Sequence, residues 1–238
     1  MKEAILERFL RYVAVTSQSD GKAGVVPSTE GQRKLAGMLA EELAELGFVN
    51  IEISEYSVLT ALLPGNLPDN KAVPTVGWCC HLDTVDAGLS PDVHPQVIRG
   101  YQGGDICLNK EKALWMRTPE HPEIEKYVGD DIVVSDGTSV LGADDKSAIA
   151  NVMTAFDIVV KENRPHGDIS VAFVPDEEIG LLGAKKIDFS KFPVDFAYTI
   201  DCCELGEVVW ETFNAGNAKL TVKGVTAHPM SSKGVLVN

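Results

Sequence analysis

Four clusters of side chains that commonly bind metal ions are spread along the 238-residue chain. They are His81 with Asp83, Asp144-Asp145-Lys146, Glu177-Glu178, and Asp201. Imidazole and carboxylate ligands without a thiolate favour Zn, Mn or Co over Ca or Mg. Several carboxylates in one place repel one another unless a cation lies between them. The residue types therefore indicate a cation site, provided that the fold brings the clusters together.

Three of these clusters directly follow short apolar runs that are typical of buried strands. The runs are 75–80, 169–174 and 196–200, and they lead into His81, Asp176-Glu177-Glu178 and Asp201 respectively. In open α/β sheets, ligands bind outside the carboxyl ends of the strands. We therefore expect the three clusters to meet at one edge of a sheet.

The pattern around Asp144 predicts a hairpin that is followed by a helix. Residues 132–135 and 138–141 would be its strands, joined by a two-residue turn at Asp136-Gly137. The helix after it has an apolar face between residues 148 and 159. Asp144 would then lie where a strand ends and a helix begins, and its carboxylate could bridge two cations.

Each cluster also has a simpler structural interpretation, which is favoured when the cluster is taken alone. These interpretations are helix capping by Asp144 or Asp145, a hydrogen-bonded core histidine at His81, a solvated pair at Glu177-Glu178, and a turn cap at Asp201. Four such clusters at equivalent ends of predicted strands are much less expected by chance. Their coincidence favours one common site.

The composition argues against several kinds of partner. The net charge of −14 and the pI of about 4.7 disfavour nucleic acid and anionic membranes. No apolar run approaches the ~20 residues of a membrane span, and Glu7, Arg8 and Arg11 interrupt any signal-peptide core. We therefore expect a soluble, cytoplasmic protein that tolerates cations.

The five cysteines do not suit a disulfide framework, because their number is odd and four of them form adjacent pairs. Reduced thiols in a reducing compartment fit this pattern better. Cys80 precedes His81, and Cys202-Cys203 follows Asp201. These cysteines could be small buried apolar residues, or Cys80 and Cys202 could place a thiol near the cation site.

Helical patterns alternate with buried strands along the chain, which predicts an α/β fold. We expect a mixed, largely parallel sheet with helices on both faces. A first helix is predicted over 3–15, and a second begins after Thr29, which fits a capping box with Gln32. Further strands are predicted over 208–213 and 218–225.

The sequence resembles the co-catalytic dinuclear zinc peptidases, a family that includes peptidase T, carboxypeptidase G and aminoacylase. The matching motifs are His-Leu-Asp-Thr at 81–84, Gly-Ala-Asp-Asp-Lys at 142–146, Pro-Asp-Glu-Glu-Ile-Gly at 175–180, and Asp201. Stretches at 27–32, 103–106, 165–169, 228–229 and 233–235 are most similar to the peptidase T group of tripeptide aminopeptidases. The resemblance extends from the first predicted helix to the end of the chain.

The resemblance implies a metal-binding role for four residues. Asp144 would bridge two zinc ions, of which His81 and Asp201 would bind one and Glu178 the other. Such a site would use two zinc ions as its cofactor and would hydrolyse small peptides as its substrates.

The resemblance also implies three catalytic roles. Glu177 would be the general base that takes a proton from a metal-bridging water. Asp83 would orient the metal-binding His81 from behind. His228 would stabilise the developing oxyanion, in relatives often across the interface of a homodimer.

By the same resemblance, residues 1–214 are expected to form a catalytic domain, and residues 215–238 the beginning of a smaller α+β lid or dimerisation domain. The family's last metal ligand is a histidine that would fall beyond residue 238, so the catalytic domain is expected to be incomplete here. Three alternatives remain open: a related zinc dipeptidase, an N-acyl-amino-acid amidohydrolase, and an inactive metal-binding fragment.

Overall fold

The computed structural model describes residues 1–68 and 72–201, together with part of the stretch from 206 to 234. The chain divides into two compact units, Met1–Asp201 and Cys202–Asn238. The domain boundary at 214/215 stays a prediction. Residues 208–211 and 218–224 form no strand, so this part of the two predicted strands is wrong, and residues 212, 213 and 225 lie outside the described residues.

Nine strands and three α-helices make up the described part of the first unit. The helices are α1 (Lys2–Val13), α2 (Glu30–Glu45) and α3 (Ala143–Lys161). The strands are β1 (Val49–Ile53), β2 (Leu59–Leu63), β3 (Val76–His81), β4 (Pro95–Ile98), β5 (Ile106–Asn109), β6 (Leu114–Met116), β7 (Ile132–Ser135), β8 (Ile169–Val174) and β9 (Phe196–Thr199).

The main sheet has five strands in the order β1-β2-β8-β3-β9. β3 pairs in parallel with β8 and with β9, whereas the β1–β2 and β2–β8 pairs are antiparallel. The predicted α/β class with a mixed sheet is confirmed. The carboxyl ends of the three parallel strands lie at one edge, as a shared ligand site requires.

β9 differs from the prediction in its burial. Its apolar sequence predicts a buried strand, but it lies at the edge of the sheet and all four of its residues are exposed. Apolar composition alone does not determine whether a strand is central or at an edge. The position of β9 beside β3 nevertheless brings its end towards His81, the last residue of β3.

The three α-helices of the described residues pack together on one face of the sheet. Their shared core contains Tyr12, Val13, Leu35, Leu39, Leu43, Ile149, Met153 and Phe156 from the helices, and Leu59, Ala61, Cys80, Val171 and Phe173 from the strands. On the opposite face, Gly77 of β3 lies against Phe192 and Val194. Among the described residues no helix combines the length and apolar character needed to cross a membrane.

The predicted hairpin before α3 is wrong, because β7 pairs with a distant strand instead of with residues 138–141. β7 is antiparallel to β4, with Val133 opposite Val97. The chain only bends at Gly137, where the side chain of Asp136 accepts the Thr138 N–H at 2.9 Å. The chain after this bend then continues directly into α3 without forming a strand.

Helix α2 begins in unusually close contact with the loop that precedes it. A Cβ atom on Gly31 would lie 1.6 Å from the carbonyl oxygen of Thr16. The same loop is tied to the end of β3, because the Ser17 hydroxyl donates to the Leu82 carbonyl at 2.7 Å. Gly31 therefore allows the start of α2 to approach the edge of the sheet where the polar clusters lie.

Gly31→Ala should lower the free energy of unfolding by about 1–3 kcal/mol, the usual cost of overpacking. Gly37→Ala is the matched control, because Gly37 lies in the same helix and a Cβ atom there would have no neighbour within 4 Å. That control should be neutral or stabilising by up to about 1 kcal/mol, since alanine favours helix over glycine. Urea unfolding of both variants measures the difference, and equal stabilities would contradict the close approach.

Candidate metal centre

His81 is the residue on which the site converges. It ends β3, and its side chain is 2% exposed. Its Nε2 atom lies 2.8 Å from Oδ1 of Asp144, and its Nδ1 atom lies 3.3 Å from Oδ1 of Asp83. Its backbone N–H donates to Oδ2 of Asp145 at 2.9 Å. Each polar group of His81 outside the strand pairing thus faces a carboxylate.

Asp83 is fully buried and joins His81 to the Glu177-Glu178 pair. Its two oxygens accept the backbone N–H groups of Glu177 at 2.9 Å and Glu178 at 3.1 Å. Burial alone would raise the pKa of Asp83, but His81 and the Glu177 N–H outweigh that effect and lower it. The Nδ1 atom of His81 is buried without an aligned hydrogen bond, so its interaction with the Asp83 carboxylate is an electrostatic contact.

A closed turn after β8 presents the two glutamates. Asp176 adopts a left-handed backbone conformation with φ of 55°. The Leu182 N–H donates to the Asp176 carbonyl at 2.9 Å, and the Gly183 N–H donates to the Pro175 carbonyl at 3.0 Å. A Cβ atom on Gly183 would lie 2.1 Å from that carbonyl oxygen. The turn therefore closes only with glycine at 183.

Two adjacent aspartates at the start of α3 supply the third part of the site. The helix begins after Gly142 without a side-chain cap, so helix capping does not explain these aspartates. Asp144 is 66% exposed, Asp145 is buried, and the peptide bond between them is cis. Lys146 is fully buried, and its Nζ atom donates to the Val15 carbonyl at 2.8 Å, which fixes α3 to the end of α1.

Among the residues that the structure describes, two groups of potential metal ligands result. In each group, one ligand atom per residue lies within 4.8 Å of every other, and His81 belongs to both. The groups are His81-Asp144-Asp145-Asp201 and His81-Glu177-Glu178. One imidazole and several carboxylate oxygens are ligands that zinc accepts, so the residues present fit a zinc-type cation in each group.

The electrostatics of the site favour bound cations. Burial, with the neighbouring acidic groups, raises the pKa of Asp145 to about 8 and also raises the pKa values of Glu177, Glu178 and Asp201. Burial would lower the pKa of His81, but the surrounding carboxylates raise it to about 10. The clustered carboxylates are thus short of positive charge, which metal ions would supply.

Sequence reasoning located six of the residues that meet here, namely His81, Asp83, Asp144, Glu177, Glu178 and Asp201. His228 lies in the second unit, and its role stays a prediction. Cys202 and Cys203 lie outside the described residues. Burial and the nearby Asp145 raise the pKa of Cys80 well above its ordinary value, so that a protonated thiol lies in the core.

Sequence reasoning also missed residues that shape the site. Asp145 was named in the Asp144-Asp145-Lys146 cluster without a role of its own, yet it accepts the backbone N–H of His81. The capping box predicted for Thr29 and Gln32 is wrong, because α2 has no side-chain cap. The Gln32 amide instead bonds Asp176. The only sequence signal for this contact was the presence of a polar residue, Gln32, on the apolar face of the predicted helix.

Comparison with known proteins identifies relatives along the whole chain. No family model matches it. A peptidase T-like protein from Yersinia pestis is 57% identical over 238 residues, which cover 100% of this chain and 57% of that protein. Peptidase T from Bacillus subtilis is 44% identical over 239 residues, which cover 100% of this chain and 58% of that protein. The chain thus spans less than two thirds of the length of these relatives.

Solved structures with the same fold include two peptidases. Aminopeptidase PepT from Bacillus cereus matches with a TM-score of 0.60 and 24% identity, over 85% of this chain and 44% of that one. Aminoacylhistidine dipeptidase from Vibrio alginolyticus matches with a TM-score of 0.55 and 16% identity, over 85% of this chain and 34% of that one. At these identities the matches support the fold.

The raised pKa of Asp145 predicts how stability depends on pH in the metal-free chain. A folded state that favours the protonated carboxyl is most stable below the unfolded pKa of about 4, and this advantage disappears as pH rises towards the folded value of about 8. Asp145→Asn should remove that contribution, because an amide does not titrate in this pH range. The variant should keep the local hydrogen bond, since its amide oxygen can still accept the His81 N–H.

Urea unfolding in EDTA at pH 5 and pH 8 tests this expectation. Between these pH values the free energy of unfolding should fall by at least about 1.4 kcal/mol more in the wild-type chain than in Asp145→Asn. This difference corresponds to one pKa unit. Glu41→Gln, which removes an exposed carboxylate from α2, is the control. Its stability should depend on pH as that of the wild-type chain does. Parallel pH profiles for Asp145→Asn and the wild-type chain would contradict the raised pKa.

Proposed function

We propose that this chain, which is homologous to peptidase T over its whole length, forms the metal-binding part of an aminopeptidase that releases the N-terminal residue from tripeptides. The observation that carries the proposal is the convergence of two ligand groups on His81. Its neighbours come from β3, the turn after β8, the end of β9 and the start of α3. The type of reaction is inferred from the homology with peptidase T.

The proposed metal assignment follows the family resemblance, and three of its ligands, His81, Asp144 and Asp201, lie together in the first of these groups. Asp144, whose exposed carboxylate lies 2.8 Å from His81 Nε2, would be shared by two zinc ions. His81 and Asp201 would bind one ion, and Glu178 would bind the other. The bound ions would supply a water of lowered pKa and polarise the peptide carbonyl. Asp145, which already accepts the His81 N–H, would hold that ligand in place.

Glu177 is the proposed general base. Its side chain is only partly buried, so it can reach a substrate, and burial raises its pKa towards the range in which a base works best near neutral pH. Its carboxylate would take the proton from the attacking water and deliver it to the nitrogen of the leaving amine. Asp83 holds the Glu177 backbone N–H and so fixes the position from which this carboxylate acts.

Several finer features belong to the proposal as well. Zinc as the metal, two ions per site, and a homodimer with His228 at the oxyanion follow from the family resemblance. The absence of nucleic-acid or membrane partners is proposed from the acidic composition, and a cytoplasmic location is proposed as well. A zinc dipeptidase and an N-acyl-amino-acid amidohydrolase would use the same ligand set, and substrate tests separate them.

Glu177→Gln should lower kcat for tripeptide hydrolysis by about 10²–10⁴-fold, the usual contribution of a general base, because glutamine cannot accept the proton. It should leave the zinc content unchanged. Glu178→Gln is the matched control, since it alters the neighbouring side chain in the same turn but removes a proposed ligand. That variant should bind less zinc as well as losing activity.

The assay combines zinc analysis with release of the N-terminal residue from a tripeptide, run beside a dipeptide and an N-acyl amino acid. Faster turnover of the dipeptide or the acyl substrate would replace the tripeptidase proposal with the corresponding alternative. Full activity in Glu177→Gln would contradict the assignment of the base. Bound zinc without hydrolysis of any substrate would identify a metal-binding part that is inactive by itself.

A further inference from the structure

A buried network ties the glutamate-bearing turn to helix α2. Asp176, which directly precedes Glu177, is 0% exposed. Its carboxylate accepts the Ser28 N–H at 2.7 Å, the Ser28 hydroxyl at 2.5 Å and the Gln32 Nε2 amide at 2.7 Å. We call Ser28, Gln32 and Asp176 the α2 clamp.

Gln32 contributes to this clamp in both directions. While its Nε2 atom donates to the Asp176 carboxylate, its Oε1 atom accepts the Asp176 backbone N–H at 2.9 Å. The side chain is fully buried. A buried amide that satisfies both a carboxylate and a backbone donor specifies one arrangement, because any other side chain would leave one of them without its partner.

The clamp has a counterpart on the other side of the turn. Asp83 fixes the backbone N–H groups of Glu177 and Glu178 from the end of β3. The clamp fixes Asp176, whose φ of 55° is uncommon for a residue other than glycine. The two glutamates are therefore held between two buried carboxylates that are anchored in different elements.

We propose that Gln32 and Ser28 are positioning residues for Glu177 and Glu178, and that they act through Asp176. Neither residue approaches the reacting atoms in this role. Without the clamp, Asp176 can leave its left-handed conformation, and the backbone that carries the base and the ligand can turn away from His81. The consequence for hydrolysis depends on the proposed function, whereas the consequence for the backbone does not.

Gln32→Met tests the clamp, since methionine has a similar length but can neither donate nor accept these hydrogen bonds. The measurement is amide hydrogen exchange of Glu177 and Glu178 in the full, metal-free chain, expressed relative to core amides of α3. Both amides should exchange about tenfold faster than in the wild-type chain, as expected when local hydrogen bonds that hold a turn are lost.

Two controls separate positioning from a general loss of stability. Leu43→Ala removes a buried core side chain further along α2 and should accelerate the two amides no more than the α3 amides. Ser28→Ala should accelerate the two amides, and Ser28→Thr should restore them because it keeps the hydroxyl. Unchanged exchange in Gln32→Met, or equal acceleration in Leu43→Ala, would overturn the proposal.

A zinc titration and a tripeptide assay of the same variants distinguish this proposal from the proposed function. Gln32→Met should lower zinc affinity or kcat by about 10–100-fold, the usual effect of losing a residue that supports a ligand, and should leave KM unchanged. If the wild-type chain neither binds zinc nor hydrolyses peptides, the proposed function fails. The exchange result then still supports or overturns the clamp.

Discussion

The site depends on the buried carboxylate of Asp83. This one side chain lies beside the imidazole of His81 and accepts the backbone N–H groups of Glu177 and Glu178. A buried charge is costly unless neighbouring donors satisfy it, and here the donors are the groups that a metal centre needs in fixed positions. The requirement to satisfy Asp83 therefore couples the end of β3 to the turn after β8.

The parallel arrangement of β8, β3 and β9 provides the second constraint. It places the ends of all three strands at one edge of the sheet, and α3 adds Asp144 and Asp145 from the side. Burial, together with the repulsion between neighbouring carboxylates, raises the pKa values of Asp145, Glu178 and Asp201. Folding thus concentrates negative charge at a point where cations would be bound strongly.

Sequence patterns predicted the parts of this site that depend on strand ends. The apolar runs before His81 and Asp176 correspond to β3 and β8, because runs of this length suit a buried strand better than a helix. The hairpin at Asp136-Gly137 was mispredicted because β7 gains more from pairing with β4, which lies far away in the sequence. The Gln32 contact was also mispredicted, since a capping motif and a tertiary contact look identical when the partner, Asp176, is distant.

Anomalous X-ray diffraction at the zinc edge, from crystals of the chain grown with zinc, tests the central claim most directly. The account predicts two peaks about 3.5–4 Å apart, as in other two-metal sites. Asp144 should lie between them, with His81 and Asp201 at one peak and Glu178 at the other. A single peak away from His81, or no peak at the carboxyl edge of the sheet, would contradict the account.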